Sequence, residues 1–148
     1  FEKNWILKCL NCFLIREPKE VISSFLKKWP EADFEDFGFT DQINLFNYIK
    51  NETRMTPVVI DAADLRDNPE TYLPRLCSKL NISWDPKMLQ WDAGLKPYDG
   101  IWASHWYPSV KTSTSFVNKI QNKEFSNTVL NFAAMANDSY HELLTYKI

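Results

Sequence analysis

The apolar positions of this chain follow two periods. Cys12-Phe-Leu-Ile15 is an unbroken apolar run of four, the pattern of a strand covered on both faces. Pro18 stands at a natural first position of a helix. Val21, Ile22, Phe25, Leu26 and Trp29 then recur at helical spacing until Pro30 stops them. Residues 31–41 mix acidic side chains with Phe34, Phe37 and Phe39, which predicts a solvated loop anchored by its phenylalanines, with an acceptor pocket or lid as the functional alternative. Thr40 is placed to cap a second helix whose Ile43, Phe46 and Ile49 face inward, and Pro57-Val-Val-Ile60, ending at Asp61, is a second strand.

Downstream, Asn68-Pro69 pairs a capping residue with a first-turn proline. The helix it opens carries Leu73, Leu76, Cys77 and Leu80 on one face. Pro86 to Leu89 reads as a single helical turn, and 90–116 as a loop holding Trp91, Trp102, Trp106, Gly94 and Gly100. A last helix, from Thr128 to Tyr146, repeats Val129, Phe132, Ala133, Ala136, Tyr140 and Leu143 at helical spacing. Strand–helix–helix–strand–helix with two unbroken apolar strands predicts an α/β fold, with Cys12–Ile15 and Pro57–Ile60 parallel. Two strands leave two open edges. Their cover is expected from a strand in the first ten residues or in 90–116, from an upstream segment, or from a second copy in a homodimer.

Composition narrows the class. The chain has 148 residues, the size of one domain, 1–148. Hydrophobic residues at 45% and aromatics at 15% sustain a core and exclude a disordered chain. Seventeen basic against nineteen acidic side chains, net charge -2, argue against a nucleic-acid partner held by a broad basic face. No apolar run approaches the roughly 20 residues of a membrane span, and no signal segment opens the chain. Three cysteines, Cys9, Cys12 and Cys77, cannot all pair, which points to a reducing, cytoplasmic compartment. Cys9-x-x-Cys12 lacks a second Cys/His pair at ligand spacing, so buried thiols are expected there and no metal. The sequons at Asn51, Asn81 and Asn137 carry little weight without a signal segment.

Ligands of an open α/β sheet gather at the carboxyl ends of its strands, beside helix N-termini. Arg16 stands there after the first strand, and Ser24 lies eight residues on, on the polar side with Glu20 and Lys28. An arginine, a hydroxyl and a helix start suit a phosphate, although an arginine at a strand end is commonly a surface ion-pair partner. His105 and His141 are the two histidines; His105 reads as structural, with general-base work as the alternative, and His141 as a surface or satisfied core residue.

Four segments in order carry a resemblance. Cys12-Phe-Leu-Ile-Arg16-Glu-Pro18, with Ser24 eight residues after the arginine, resembles the segment that holds the 3′-phosphate of PAPS (3′-phosphoadenosine 5′-phosphosulfate) in the sulfotransferase family. Ile60-Asp-Ala-Ala-Asp64-Leu65 into Asn68-Pro69, and Leu76-Cys77-x-x-Leu80 into Asn81-Ile-Ser-Trp-Asp85, are similar to its later strand, turn and helix. Asp99-Gly100-Ile-Trp102 to Trp106-Tyr107, then Ser113-Thr114-x-Phe116, resemble the C-terminal segment of a branch common in microbes. The resemblance runs from about residue 10 to the end. It implies the three-layer parallel-sheet, P-loop NTPase-like fold of that family and transfer of a sulfuryl group from PAPS to an acceptor hydroxyl or amine. It further implies Arg16 and Ser24 on the 3′-phosphate, with Lys96 and Gly100 in a loop that closes over it. Lys96-Pro-Tyr-Asp99-Gly100 reads equally as an ordinary turn.

Departures from the family's pattern are as informative. The 5′-phosphosulfate loop and the general-base histidine of many members would fall upstream of Phe1, so a piece lacking the N-terminal strand and that loop is expected. The aromatic residue that often stacks on adenine is replaced, since the matching run reads Ala62-Ala63-Asp64-Leu65. The catalytic residues and the small-molecule acceptor stay unassigned. The competing functions are a non-catalytic sulfotransferase-like interaction module and another P-loop-type nucleotide-binding protein.

Overall fold

The computed structural model describes residues 4–101, 103, 110–116 and 124–148. Strands β1 (Cys12–Ile15) and β2 (Val58–Asp61) pair in parallel, with Cys12 opposite Val58 and Ile15 opposite Asp61. This is the pairing expected from the two apolar runs. A parallel pair needs a long crossover, and here it is helical: α1 (Pro18–Leu26), a 3₁₀ turn at Glu35–Phe37, and α2 (Phe39–Thr53). The fold is thus mixed helix with a small parallel sheet.

On β1 the side chains alternate. Phe13 and Ile15 are buried, while Cys12 and Leu14 are exposed. The unbroken run had predicted two covered faces, and among the described residues β1 has one. The same alternation corrects the expectation for the thiols: Cys9 and Cys12 are exposed, and Cys77 is the buried cysteine. Pleating sends neighbouring side chains to opposite faces whatever their polarity, so an apolar run does not by itself report burial.

Phe13, Ile15 and Val59 of the sheet pack with Ile43, Phe46 and Ile49 of α2 and with Leu143. Phe46 is fully buried, edge-on to Phe13 at 5.4 Å and tilted against Tyr146 at 4.9 Å. The last long helix, α5 (Asn127–Leu144), supplies Leu143 to this core and Val129, Ala133 and Ala136 to a second one with Ile22 and Phe39. Alanines at the crossing let α5 lie close to α1. Trp29, expected on the apolar stripe of α1, is 57% exposed and stacks on Phe25 at 6.2 Å, because the helix ends three residues earlier, at Leu26.

Two boundaries move for identifiable reasons. Thr40 does not cap α2. The cap position is Gly38, at φ +72°, a left-handed conformation that glycine adopts without strain. Its amide closes the preceding 3₁₀ turn on the Glu35 carbonyl at 3.1 Å, and its carbonyl accepts from the Gln42 amide at 2.9 Å. At the other end, α5 stops at Leu144 rather than Tyr146. The Ile148 amide then donates to the Val59 carbonyl at 3.0 Å, and Lys147 forms a parallel bridge with Val59. One sheet edge expected to lie open is therefore partly paired by residues 147–148. On the β1 side, the Gln42 side-chain amide donates to the Leu14 carbonyl at 3.1 Å.

The described residues up to Ala63 and from 124 onward form one compact unit, and those from Asp64 to 116 form a second. The chain first passes from one to the other within α3 (Ala62–Asp67). In the second unit Asn68 caps α4 (Pro69–Lys79) by accepting from the Thr71 amide at 3.3 Å, as its sequence predicts. The buried Cys77 of α4 lies 3.9 Å from the Met88 sulfur, on the 3₁₀ turn Pro86–Leu89.

Exposure of the thiols has a direct consequence. Iodoacetamide is expected to modify Cys9 and Cys12 in the native protein and Cys77 only after unfolding, read by peptide mass spectrometry across a urea series. Desolvation pushes the Cys12 thiol above the ordinary cysteine value. Since the thiolate is the nucleophile, its alkylation rate should climb at higher pH than that of free cysteine. Equal native-state labelling of Cys77 would contradict this packing.

Candidate functional site

The carboxyl end of β1 runs straight into α1. Arg16 follows Ile15, Glu17 is the helix cap residue in a non-helical conformation, and the buried Pro18 occupies the first turn. Proline there fixes the entry of the helix and gives up an amide that would have no helical partner. Arg16 therefore stands at the end of the parallel sheet where a helix begins, as the sequence predicts.

Its guanidinium is engaged. Nε donates to Glu20 Oε2 at 2.8 Å, with the two side chains 33% and 30% exposed. Nε is one of the five N–H donors of an arginine. Ser24 is exposed and lies one turn beyond Glu20, on the same face of α1. Its Cα is about 9 Å along the axis from Pro18. Lys19 adds a second cation at this helix start, 3.6 Å from a Glu17 carboxylate oxygen and 5.9 Å above the Phe125 ring. Among the described residues, two cations thus face two carboxylates, Glu17 and Glu20. Sequence reasoning placed Glu20 beside Ser24 but missed its bond to Arg16. The four-residue spacing was the available signal.

At the end of β2 stands Asp61, which is 5% exposed. Its Oδ1 accepts from the Ala63 amide at 2.7 Å and its Oδ2 from the Tyr140 hydroxyl at 3.0 Å. One carboxylate thus opens α3 and ties α5 to the sheet. Tyr72, at 2.7 Å, donates to Asp64 one turn along α3. These contacts account for Ala62-Ala63-Asp64-Leu65 as the first turns of a helix.

Lys96 and Gly100 belong to the second unit, Arg16 and Ser24 to the first. The Lys96 amide donates to Asp99 Oδ2 at 2.7 Å, and the Asp99 amide donates to the Lys96 carbonyl at 3.0 Å, the geometry of a side-chain-closed turn. Lys96 also lines a cleft of about 260 Å³ with Trp91, Leu95, Tyr98, Val110 and Lys111. Trp91 is held by three contacts: its amide donates to the Thr114 carbonyl at 2.9 Å, its Nε1 to Ser113 Oγ at 3.1 Å, and its ring meets Phe116 edge-on at 5.3 Å. A wider hollow of about 630 Å³ shares Trp91 and Asp92. Sequence reasoning missed both, because the contacts that shape them join segments twenty residues apart.

His141 is exposed on α5. His105, Trp102, Trp106 and Tyr107 lie outside the described residues. Among the described residues, no three of the side chains that bind metals converge, and no helix is long and apolar enough to cross a membrane.

Comparison with known proteins gives one family. The family model described as a sulfotransferase domain matches residues 1–136. The chain is 40% identical over 103 residues to branched-chain-amino-acid aminotransferase-like protein 1 of Arabidopsis thaliana, and 36% identical over the same length to protein 2 of that name. In each case the match covers 70% of this chain and 18% of the relative. No solved structure matches.

The Asp61 contacts can be tested by stability. Tyr140→Phe deletes a hydrogen bond to a buried carboxylate, and bonds to charged groups contribute about 1.5–3 kcal/mol. The urea midpoint should fall accordingly with an unchanged slope. A loss below about 0.5 kcal/mol would place the Asp61 carboxylate in contact with water.

Proposed function

This chain belongs to the sulfotransferase domain family, and from that premise we propose that it takes part in moving a sulfuryl group from PAPS to an acceptor hydroxyl or amine, with Arg16 and Ser24 on the 3′-phosphate of the nucleotide. The observation that carries the proposal is the position of Arg16, between the carboxyl end of β1 and the first turn of α1. A parallel sheet presents ligands to helix N-termini at that end. The exposed Ser24 hydroxyl on the same helix face adds a neutral donor. The three-layer, P-loop-type architecture belongs to this proposal too, as do a cytoplasmic setting and a single domain over 1–148.

PAPS supplies the activated sulfuryl group. Arg16 neutralises charge at the far end of the nucleotide and Ser24 fixes its register. Neither residue is assigned to the reacting atoms, so both act on binding rather than on the transition state. Lys96 and Gly100 rest on the resemblance alone. The aminotransferase-like relatives are whole proteins of which the match is 18%, and what their names say is not carried over to this chain.

Calorimetry with adenosine 3′,5′-bisphosphate tests the assignment. Arg16→Ala removes a charge-assisted contact of about 1.5–3 kcal/mol, equivalent to roughly a ten- to hundredfold loss of affinity. Ser24→Ala should cost about 0.5–1.5 kcal/mol. Where turnover is measurable, both should raise KM for PAPS and leave kcat nearly unchanged. Unchanged affinity in Arg16→Ala would remove the nucleotide from this site. A non-catalytic interaction module would then be favoured by Leu10 and Leu14, which are exposed at 65% and 54%.

A further inference from the structure

The Glu20 carboxylate has no part in the chemistry above, yet it lies between the two residues assigned to the phosphate. Arg16, Glu20 and Ser24 are spaced by four, and Glu20 bonds Arg16 through Nε. An anion that binds Arg16 and Ser24 must come close to this carboxylate. Two effects then oppose each other. Like charges repel, which weakens phosphate binding. Holding Nε also restrains a long, freely rotating side chain, which strengthens it.

Geometry and exposure decide between them. The contact to Glu20 is made by the side nitrogen of the guanidinium. The two terminal nitrogens form the fork that recognises phosphate by paired hydrogen bonds. Both side chains are about one-third exposed, so water and salt screen the repulsion. Orientation of the fork is short-ranged and is not screened. Glu20 is also the third residue of α1, where a carboxylate suits the helix dipole.

We propose that Glu20 is a positioning residue for anion recognition: by holding Nε it fixes the guanidinium plane of Arg16, so that the terminal amino groups meet a phosphate as a preformed fork. The proposal rests on the assignment of Arg16 to the 3′-phosphate. In it the acidic residue of the site favours anion binding rather than opposing it.

The test uses the full-length protein and two probes, adenosine 3′,5′-bisphosphate and adenosine 5′-monophosphate. The ratio of their dissociation constants isolates the 3′-phosphate, and a merely structural defect would weaken both alike. Glu20→Ala should cut this ratio about tenfold, approaching the value for Arg16→Ala. Glu20→Gln keeps an oxygen acceptor for Nε without the charge, and should hold the ratio within about threefold of the parent. Adding Glu20→Ala to Arg16→Ala should change nothing further, because the two residues act as a unit. Tighter bisphosphate binding in both Glu20 variants would overturn the proposal by making Glu20 a competitor of the ligand. It would be overturned equally if Glu20→Ala left the ratio intact while Arg16→Ala collapsed it. An intact ratio in Arg16→Ala would overturn it together with its premise, an outcome distinct from the other two.

Discussion

Parallel pairing of β1 with β2 is the constraint on which the first unit depends. Two parallel strands cannot be joined by a tight turn, so the chain must leave the end of one and return to the start of the other. Here that return path is α1 and α2. The direction of the strands fixes where the path begins, at the carboxyl end of β1, and so puts the first turn of α1 beside Arg16. The place where a helix start meets the end of the sheet is thus set by the topology before any side chain is chosen.

The second element of the arrangement is α5, which touches almost everything else in its unit. Its small residues lie against α1, its Leu143 enters the core under the sheet, and its Tyr140 reaches Asp61 at the end of β2. Burial of a fully enclosed Ile or Leu contributes about 1.5–3 kcal/mol, and Ile22 and Leu143 are both enclosed. The Asp61 contacts do different work. They contribute direction rather than area, since a buried carboxylate is tolerated only where its oxygens find donors.

Much of this was legible in the residues. The parallel pairing, the inward faces of α2 and α5, the Asn68 cap and the Pro86–Leu89 turn follow from periodicity and local capping chemistry, which act over a few residues. What escaped the sequence depends on partners far along the chain. Whether Cys12 is covered is decided by what lies over β1, and Val59 finds a pairing partner at Lys147, 88 positions away in the numbering. Thr40 failed as a cap because the positive φ of Gly38 takes up the turn first. Of the candidate site, Arg16 and Ser24 could be placed by reading the strand-to-helix turn. The bond between Arg16 and Glu20 could be anticipated only as one of several spacings of four. The hollows around Trp91 could not be anticipated, since Ser113 and Thr114 reach it from across a loop.

The first unit is discontinuous, with its early part ending at Ala63 and its late part containing α5. That interruption governs the order of events during synthesis. When β1, α1, α2 and β2 leave the ribosome, Ile22 and Phe39 still lack Val129, Ala133 and Ala136, and Asp61 still lacks Tyr140. Residues of the second unit must be made before the missing side can arrive. Until then the nascent chain carries an uncovered apolar surface, the condition in which partly folded chains aggregate or recruit chaperones.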